Sequence, residues 1–235
     1  MLLAETGIPV TVVARREDRL QQLADRFANV EVLCADLGDA DQLAAVEARV
    51  LDRERPIDLM VNNAGFGTSG RFHVAEADRL TAEVALNVTA LTRLSHAAMR
   101  AMVPQGRGYL LNVSSMVSFQ PAPLLAVYGA TKAYVTSLSE SLHEEARAAG
   151  VKVTALCPGL TKTEFQSISS SDSYATQYPR FMWTSIDTVA RTGLDAVAKG
   201  KALAIPGWQY KALGVTVGLL PRRVLRRASS LVQRD

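Results

Sequence analysis

Short runs of β-branched and aliphatic residues alternate with longer stretches of helical periodicity along this 235-residue chain, and that alternation restricts the folds open to it. The runs are Val10–Ala14, Val30–Cys34 and residues 58–61, 109–113, 151–157 and 202–205. Between them, segments such as 39–52, 78–102 and 130–149 place apolar residues at intervals of three and four. A short apolar run reads as a buried strand, and the longer spacing reads as one apolar helix face. Strand, helix and strand in succession are βαβ units. The expectation is therefore an α/β fold, a doubly wound parallel sheet flanked by helices. Ligands bind such sheets beyond the carboxyl ends of the strands, so residues with chemistry to do should directly follow the strands.

Apolar residues make up 48% of the chain and charged ones 21%, the balance of a globular protein with a substantial core. No Pro-, Gly- or Ser-rich linker divides it. Cys34 and Cys157 lie far apart without a Cys or His neighbour at ligand spacing, so neither a disulfide framework nor a metal site is expected. The first residues lack the charged and apolar regions of a signal peptide, and the apolar stretch at 212–220 is too short to span a bilayer. A cytoplasmic protein is expected.

Four motifs follow strand candidates. After the strand at 58–61 come Asn62, Asn63, Ala64 and Gly65, where amide side chains can fix a loop and small residues let a flat ligand lie against the backbone. After Val113 come Ser114 and Ser115, whose hydroxyls can hydrogen-bond a substrate oxygen or serve only as a turn or helix cap. Tyr128 and Lys132 stand four apart in a helix, on one face. A neighbouring cation favours phenolate, so Lys132 is expected to lower the Tyr128 pKa and make it a usable acid or base. Taken alone, the pair fits two surface residues equally well. After the strand at 151–157 come Pro158, Gly159, Leu160, Thr161, Lys162 and Thr163.

Together these motifs, with Asn87 in a helix and Ser115 thirteen residues before Tyr128, resemble the short-chain dehydrogenases/reductases over nearly the whole chain. The resemblance implies a Rossmann-like fold and an enzyme that moves hydride between a nicotinamide cofactor and a carbonyl or alcohol. It implies that Tyr128 is the general acid or base and that Lys132 also binds the nicotinamide ribose. Ser115 would orient the substrate oxygen, Asn87 would hold a water in a proton relay, and the segment from Leu160 to Thr163 would hold the carboxamide. Asn87 as a plain helix-face polar residue and Thr163 as a helix cap remain open readings. Asn63, Ala64, Gly65, Pro158 and Gly159 complete the expected cofactor contacts. At the end of the strand Val10–Ala14, where an acid would favour NAD, the chain has Arg15 and Arg16, which suit a 2′-phosphate; NADP(H) is expected. Asp36 resembles the aspartate that contacts the adenine.

The family's opening strand and glycine-rich turn have no counterpart here. Residues 1–7 read as the end of the first helix, so about twenty to twenty-five residues of the pattern are absent. The expectation is either a start upstream of Met1 or weak cofactor binding, and the alternative to an enzyme is a non-catalytic scaffold of the same fold. Residues 1–207 are expected to form the catalytic domain and 208–235 a basic amphipathic helical extension, broken at Pro221 and carrying Arg222, Arg223, Arg226, Arg227 and Arg234. That tail is a solvated helix end or a site of peripheral membrane contact; no specific nucleic-acid partner is expected. The expected substrate is a fairly apolar, lipid-like ketone or alcohol, from the aromatic loop at 164–183 with Phe165, Tyr174, Tyr178, Phe181 and Trp183. Core packing explains those aromatics equally well. The resemblance also implies a homo-oligomer.

Overall fold

A computed structural model describes residues 1–169 and 178–232. Tyr174, Arg234 and Asp235 lie outside the described residues. The chain runs α1 (Leu2–Glu5), β1 (Val10–Ala14), α2 (Glu17–Arg26), β2 (Val30–Cys34), α3 (Ala40–Val50), β3 (Leu59–Asn62), α4 (Ala77–Val84) and α5 (Leu91–Met102). It continues through β4 (Gly108–Val113), α6 (Ala126–Arg147), β5 (Val151–Leu156), α7 (Phe165–Ile168), α8 (Ile186–Ala198), β6 (Leu203–Ala204), α9 (Trp208–Leu219) and α10 (Arg222–Val232). Every strand expected from the sequence forms, with ends shifted by at most one residue.

All strand pairs are parallel. Strand β4 shows how two helical layers cover one sheet. Successive side chains point to opposite faces, so Leu110 packs with Ala98, Met102 and Val153 while Leu111 packs with Leu156, Ala196 and Val197 on the α8 side. Full burial of a leucine such as Leu110 stabilises by about 2 kcal/mol.

The sheet is in two parts, β1-β2 and β3-β4-β5-β6. Among the described residues, β1 and β3 each have a strand neighbour on one side only. A groove of about 1800 Å³ runs between them, lined by Val10, Val13, Leu59, Met60 and Val61. Its floor is the cluster of Ala35, Leu43, Val46, Ala90 and Leu94, on which Val13 from β1 and Met60 from β3 both pack.

Two differences from the sequence expectation bear on the site. The helix expected over 78–102 is continuous but changes to a π turn at Ala85–Ala90, which carries Asn87. An inserted π turn takes up an extra residue and re-aims a side chain, and such turns are frequent at functional sites. The second difference concerns the C-terminus. Helix α9 is not an appendage: Tyr210 sits in the core with Met116, Ala155 and Cys157. In α10, Leu225 and Ser229 turn inward while Arg223, Val224 and Arg226 face solvent. Among the described residues no helix is long and apolar enough to cross a membrane.

Candidate active site

Strands β3, β4 and β5 end at the same edge, and the three loops leaving them meet α6. Their first contacts are a buried polar ladder. Asn62 Nδ2 donates to Ser95 Oγ at 3.0 Å and to Asn112 Oδ1 at 2.9 Å, and Asn112 Nδ2 donates to Ser139 Oγ at 3.0 Å. The amide N–H groups paired in this way tie the strand ends together, while Asn62 Oδ1 is left without a partner.

Ser114 and Ser115 divide the work between them. Ser114 is buried; its hydroxyl donates to the Lys132 carbonyl at 2.8 Å and lies 2.7 Å from Thr136 Oγ1, which fastens β4 to α6. Ser115 caps the 3₁₀ turn Met116–Phe119, and its hydroxyl stands beside the Tyr128 phenol. Helix α6 starts at Ala126, so Tyr128 and Lys132 both fall within it and both point inward. Lys132 Nζ donates to the Val113 carbonyl at 2.8 Å and lies 5.7 Å from the Tyr128 ring centre.

Burial reverses one expectation. It pushes the Tyr128 phenol up to about 12, with the Ser115 hydroxyl pulling down in part and the Glu83 charge adding to the rise. The expected lowering by Lys132 is absent. Desolvation penalises the phenolate more than an ammonium directed at a carbonyl can relieve. The same burial takes Lys132 down to about 8, which leaves it largely protonated at neutral pH.

Asn87 holds the loop after β3. Its Nδ2 donates to the Phe66 carbonyl at 2.8 Å and to Thr131 Oγ1 at 3.1 Å, while its Oδ1 accepts from the Phe66 N–H at 3.1 Å. The side chain is thus spent on the loop. Gly65 lets that loop approach: a Cβ there would stand 2.8 Å from Asn87 Oδ1 and 3.5 Å from Lys132 Nζ. Asn63 and Ala64 are exposed at the end of the groove, with Gly65 beside them.

After β5, Gly159 lies under the Tyr210 ring, where a Cβ would overlap ring carbons at 2.0 to 2.3 Å. The Tyr210 hydroxyl accepts from the Leu160 N–H at 2.9 Å and donates to the Met182 carbonyl at 2.7 Å. The Leu160 carbonyl accepts from the Thr184 N–H at 2.9 Å. Both backbone groups of Leu160 are therefore engaged within the protein, and α9 clamps the loop. Thr163 Oγ1 accepts from the Phe165 N–H at 3.1 Å, a local turn contact, while Glu164 stands at the N-cap of α7 without a side-chain cap bond. Phe165 in turn covers Tyr128, with ring centres 5.2 Å apart.

The arginines after β1 lie at the far end of the groove and already have partners. Arg15 Nη1 is 3.5 Å from Asp36 Oδ2. Arg16 Nη1 is 2.9 Å from Glu164 Oε2, and Arg19 Nη1 is 2.5 Å from Glu164 Oε1. Asp36 Oδ1 also accepts from the Gly38 N–H at 2.9 Å. Arg19, Glu164, Tyr210 and Glu83 are additions that the sequence reading lacked. An arginine one helical turn beyond the Arg15-Arg16 pair and an acid one turn before Asn87 were the available signals for Arg19 and Glu83; for Tyr210 there was none.

A nicotinamide dinucleotide fits part of this arrangement. Gly65 leaves the space a Cβ would fill beside Lys132, and Arg15, Arg16, Asp36, Asn63 and Ala64 line one groove. A glycine-rich backbone cradle for a pyrophosphate is absent among the described residues.

Residues 1–173 match the family model described as short chain dehydrogenase. An uncharacterized oxidoreductase of Myxococcus xanthus is 32% identical over 234 residues, 97% of this chain and 88% of that one. A short-chain dehydrogenase from Sphingobium yanoikuyae, solved in complex with NADPH, superposes with a TM-score of 0.81 at 34% identity, covering 93% of this chain and 87% of that one. The bulky-bulky ketone specific alcohol dehydrogenase from Comamonas testosteroni superposes with a TM-score of 0.76 at 29% identity, covering 94% and 88%.

Proposed function

This chain belongs to the short-chain dehydrogenase/reductase family of NAD(P)-dependent oxidoreductases, and we propose that it reduces a bulky, apolar ketone with NADPH. The observation that carries the proposal is the joining of Tyr128, Ser115 and Lys132 at the ends of β4 and α6, with the phenol protonated at neutral pH.

Ser115 orients the carbonyl oxygen, and Tyr128 gives it a proton from the phenol hydroxyl. When bound, the nicotinamide supplies the hydride that the carbonyl carbon accepts. Lys132, held by the Val113 carbonyl, keeps a positive charge beside the phenolate that remains, which shares the cost of that charge in a dry site. Asn87 acts by holding Phe66 and the loop from Asn63 to Gly65 against α6. With cofactor bound, Lys132 would also hold the nicotinamide ribose and Asp36 the adenine, and Pro158, Gly159, Leu160 and Thr163 would border the nicotinamide end.

Preference for NADPH rests on Arg15 and Arg16, and it agrees with the NADPH bound by the Sphingobium relative. Preference for an apolar ketone rests on Phe165 over Tyr128, on Phe181 at 66% exposure and Trp208 at 77%, and on the ketone-specific relative. The remainder of the proposal is a homo-oligomer in the cytoplasm.

The test is NADPH oxidation against a panel of ketones graded by bulk, with Tyr128→Phe as the control. Loss of the general acid should cost turnover about 10²-fold or more, while NADPH binding followed by fluorescence stays within a few-fold. Undiminished turnover in Tyr128→Phe would remove the mechanism.

A further inference from the structure

Glu83 has no part in the reaction as described, yet it is fully buried at 0% exposure, and neither of its carboxylate oxygens has a hydrogen-bond partner. Thr68 lies beside it, and its hydroxyl and N–H draw the Glu83 pKa down against the rise from burial, although the contacts fall short of full hydrogen-bond geometry. An unpaired buried carboxyl costs stability, so its presence calls for a physical account.

Its place supplies one. Glu83 lies one turn before Asn87 on the helix that packs against α6. The charged or titratable groups that act on it or feel it are Arg79 on its own helix, and Lys132 and Tyr128 on α6. Arg79 is engaged elsewhere, with its guanidinium on the Ile168 carbonyl and over the Phe66 ring. Cys157 is near Lys132, but burial pushes its thiol up to about 11, so it is neutral at neutral pH. Glu83 is therefore the acid whose charge can reach the catalytic pair.

We propose that Glu83 is a positioning residue whose buried carboxylate, on the helix packed against α6, suits the site to giving a proton to a ketone. This rests on the reductase reading above. In reduction the Tyr128 O–H bond breaks, its proton joins the carbonyl oxygen, the hydride joins the carbon, and the phenolate is reprotonated from solvent. In alcohol oxidation the phenolate must exist before the step. A nearby carboxylate makes that form harder to reach, which moves oxidation to higher pH without altering the overall equilibrium. Burial also raises the pKa of Glu83 itself, so the effect operates where Glu83 is ionised.

The experiment is the pH profile of kcat/KM for both directions in the parent, Glu83→Gln and Tyr128→Phe, with phenolate absorbance titrated in the same proteins without cofactor. Subtracting the Tyr128→Phe curve isolates Tyr128. Glu83→Gln should move both the oxidation limb and the Tyr128 titration down by about one pH unit, and Glu83→Asp should restore part of the difference. If Glu83→Gln misfolds, Glu83→Met, close in volume and uncharged, takes its place. Unchanged limbs in a folded, uncharged variant would overturn the proposal, even if kcat fell. Turnover by Tyr128→Phe would instead defeat the reductase reading, and the absorbance titration would still report on Glu83.

Discussion

Gly159→Ala should unfold this protein at markedly lower temperature, because the space for one methyl group is already taken by an aromatic ring. The added Cβ would meet Tyr210 ring carbons at 2.0 to 2.3 Å, well inside van der Waals contact. The ring has little freedom to yield. It is 4% exposed, packed with Met116, Ala155 and Cys157, and its hydroxyl is fixed by the Leu160 N–H and the Met182 carbonyl. Displacing it forfeits two hydrogen bonds at about 1 kcal/mol each and adds overpacking of about 1–3 kcal/mol. A total of about 3–5 kcal/mol corresponds to a fall in Tm on the order of 10 °C for a chain of this length. Thermal unfolding by circular dichroism reads the change directly. A double-mutant cycle isolates its cause, since Gly159→Ala in a Tyr210→Ala background should cost only about 1 kcal/mol, a coupling of about 2–4 kcal/mol. A Tm within about 2 °C of the parent, or additive effects in the cycle, would refute the clamp between α9 and the loop after β5.

Two further outcomes follow from the electrostatics. Lys132 falls from its ordinary 10.5 to about 8 on burial, so between those values the unfolded chain holds a proton that the folded chain has released, and stability rises with pH through that window. Below pH 8 the penalty is complete, roughly 3 kcal/mol for this shift. Lys132→Met should therefore be inactive yet more stable than the parent below pH 8, an advantage that denaturant melts should show fading towards pH 10.5. Glu164→Gln removes two half-exposed ion pairs, which contribute little to stability, and frees Arg16 and Arg19. NADPH should then bind several-fold more tightly by fluorescence titration while NADH binding is unchanged; equal gains for both would show that these arginines do not read the 2′-phosphate.

The α/β order, the parallel sheet and the clustering of motifs after strands were legible in the residue pattern, because period and strand length are local properties. Tyr128 and Lys132 four apart needed only helix geometry to share a face, whereas Ser115 was joined to them by the family resemblance. What the sequence could not supply depends on surroundings built from distant segments. The rise of Tyr128 to about 12 comes from enclosure by Phe165 and the loop at Gly67, contacts between residues 37 and 61 positions apart. The same holds for Leu160, whose N–H goes to a hydroxyl 50 residues away, and for Glu164, which reaches Arg16 across 148 positions. Asn87 reads as a helical residue in sequence, and only the packed π turn shows its amide gripping Phe66. Composition and periodicity thus determined which elements form, and the motifs after the strands, through the family they resemble, indicated the chemistry. Desolvation, charge proximity and hydrogen-bond pairing were decided by the tertiary structure, since each depends on which remote groups share a low-dielectric space with the site.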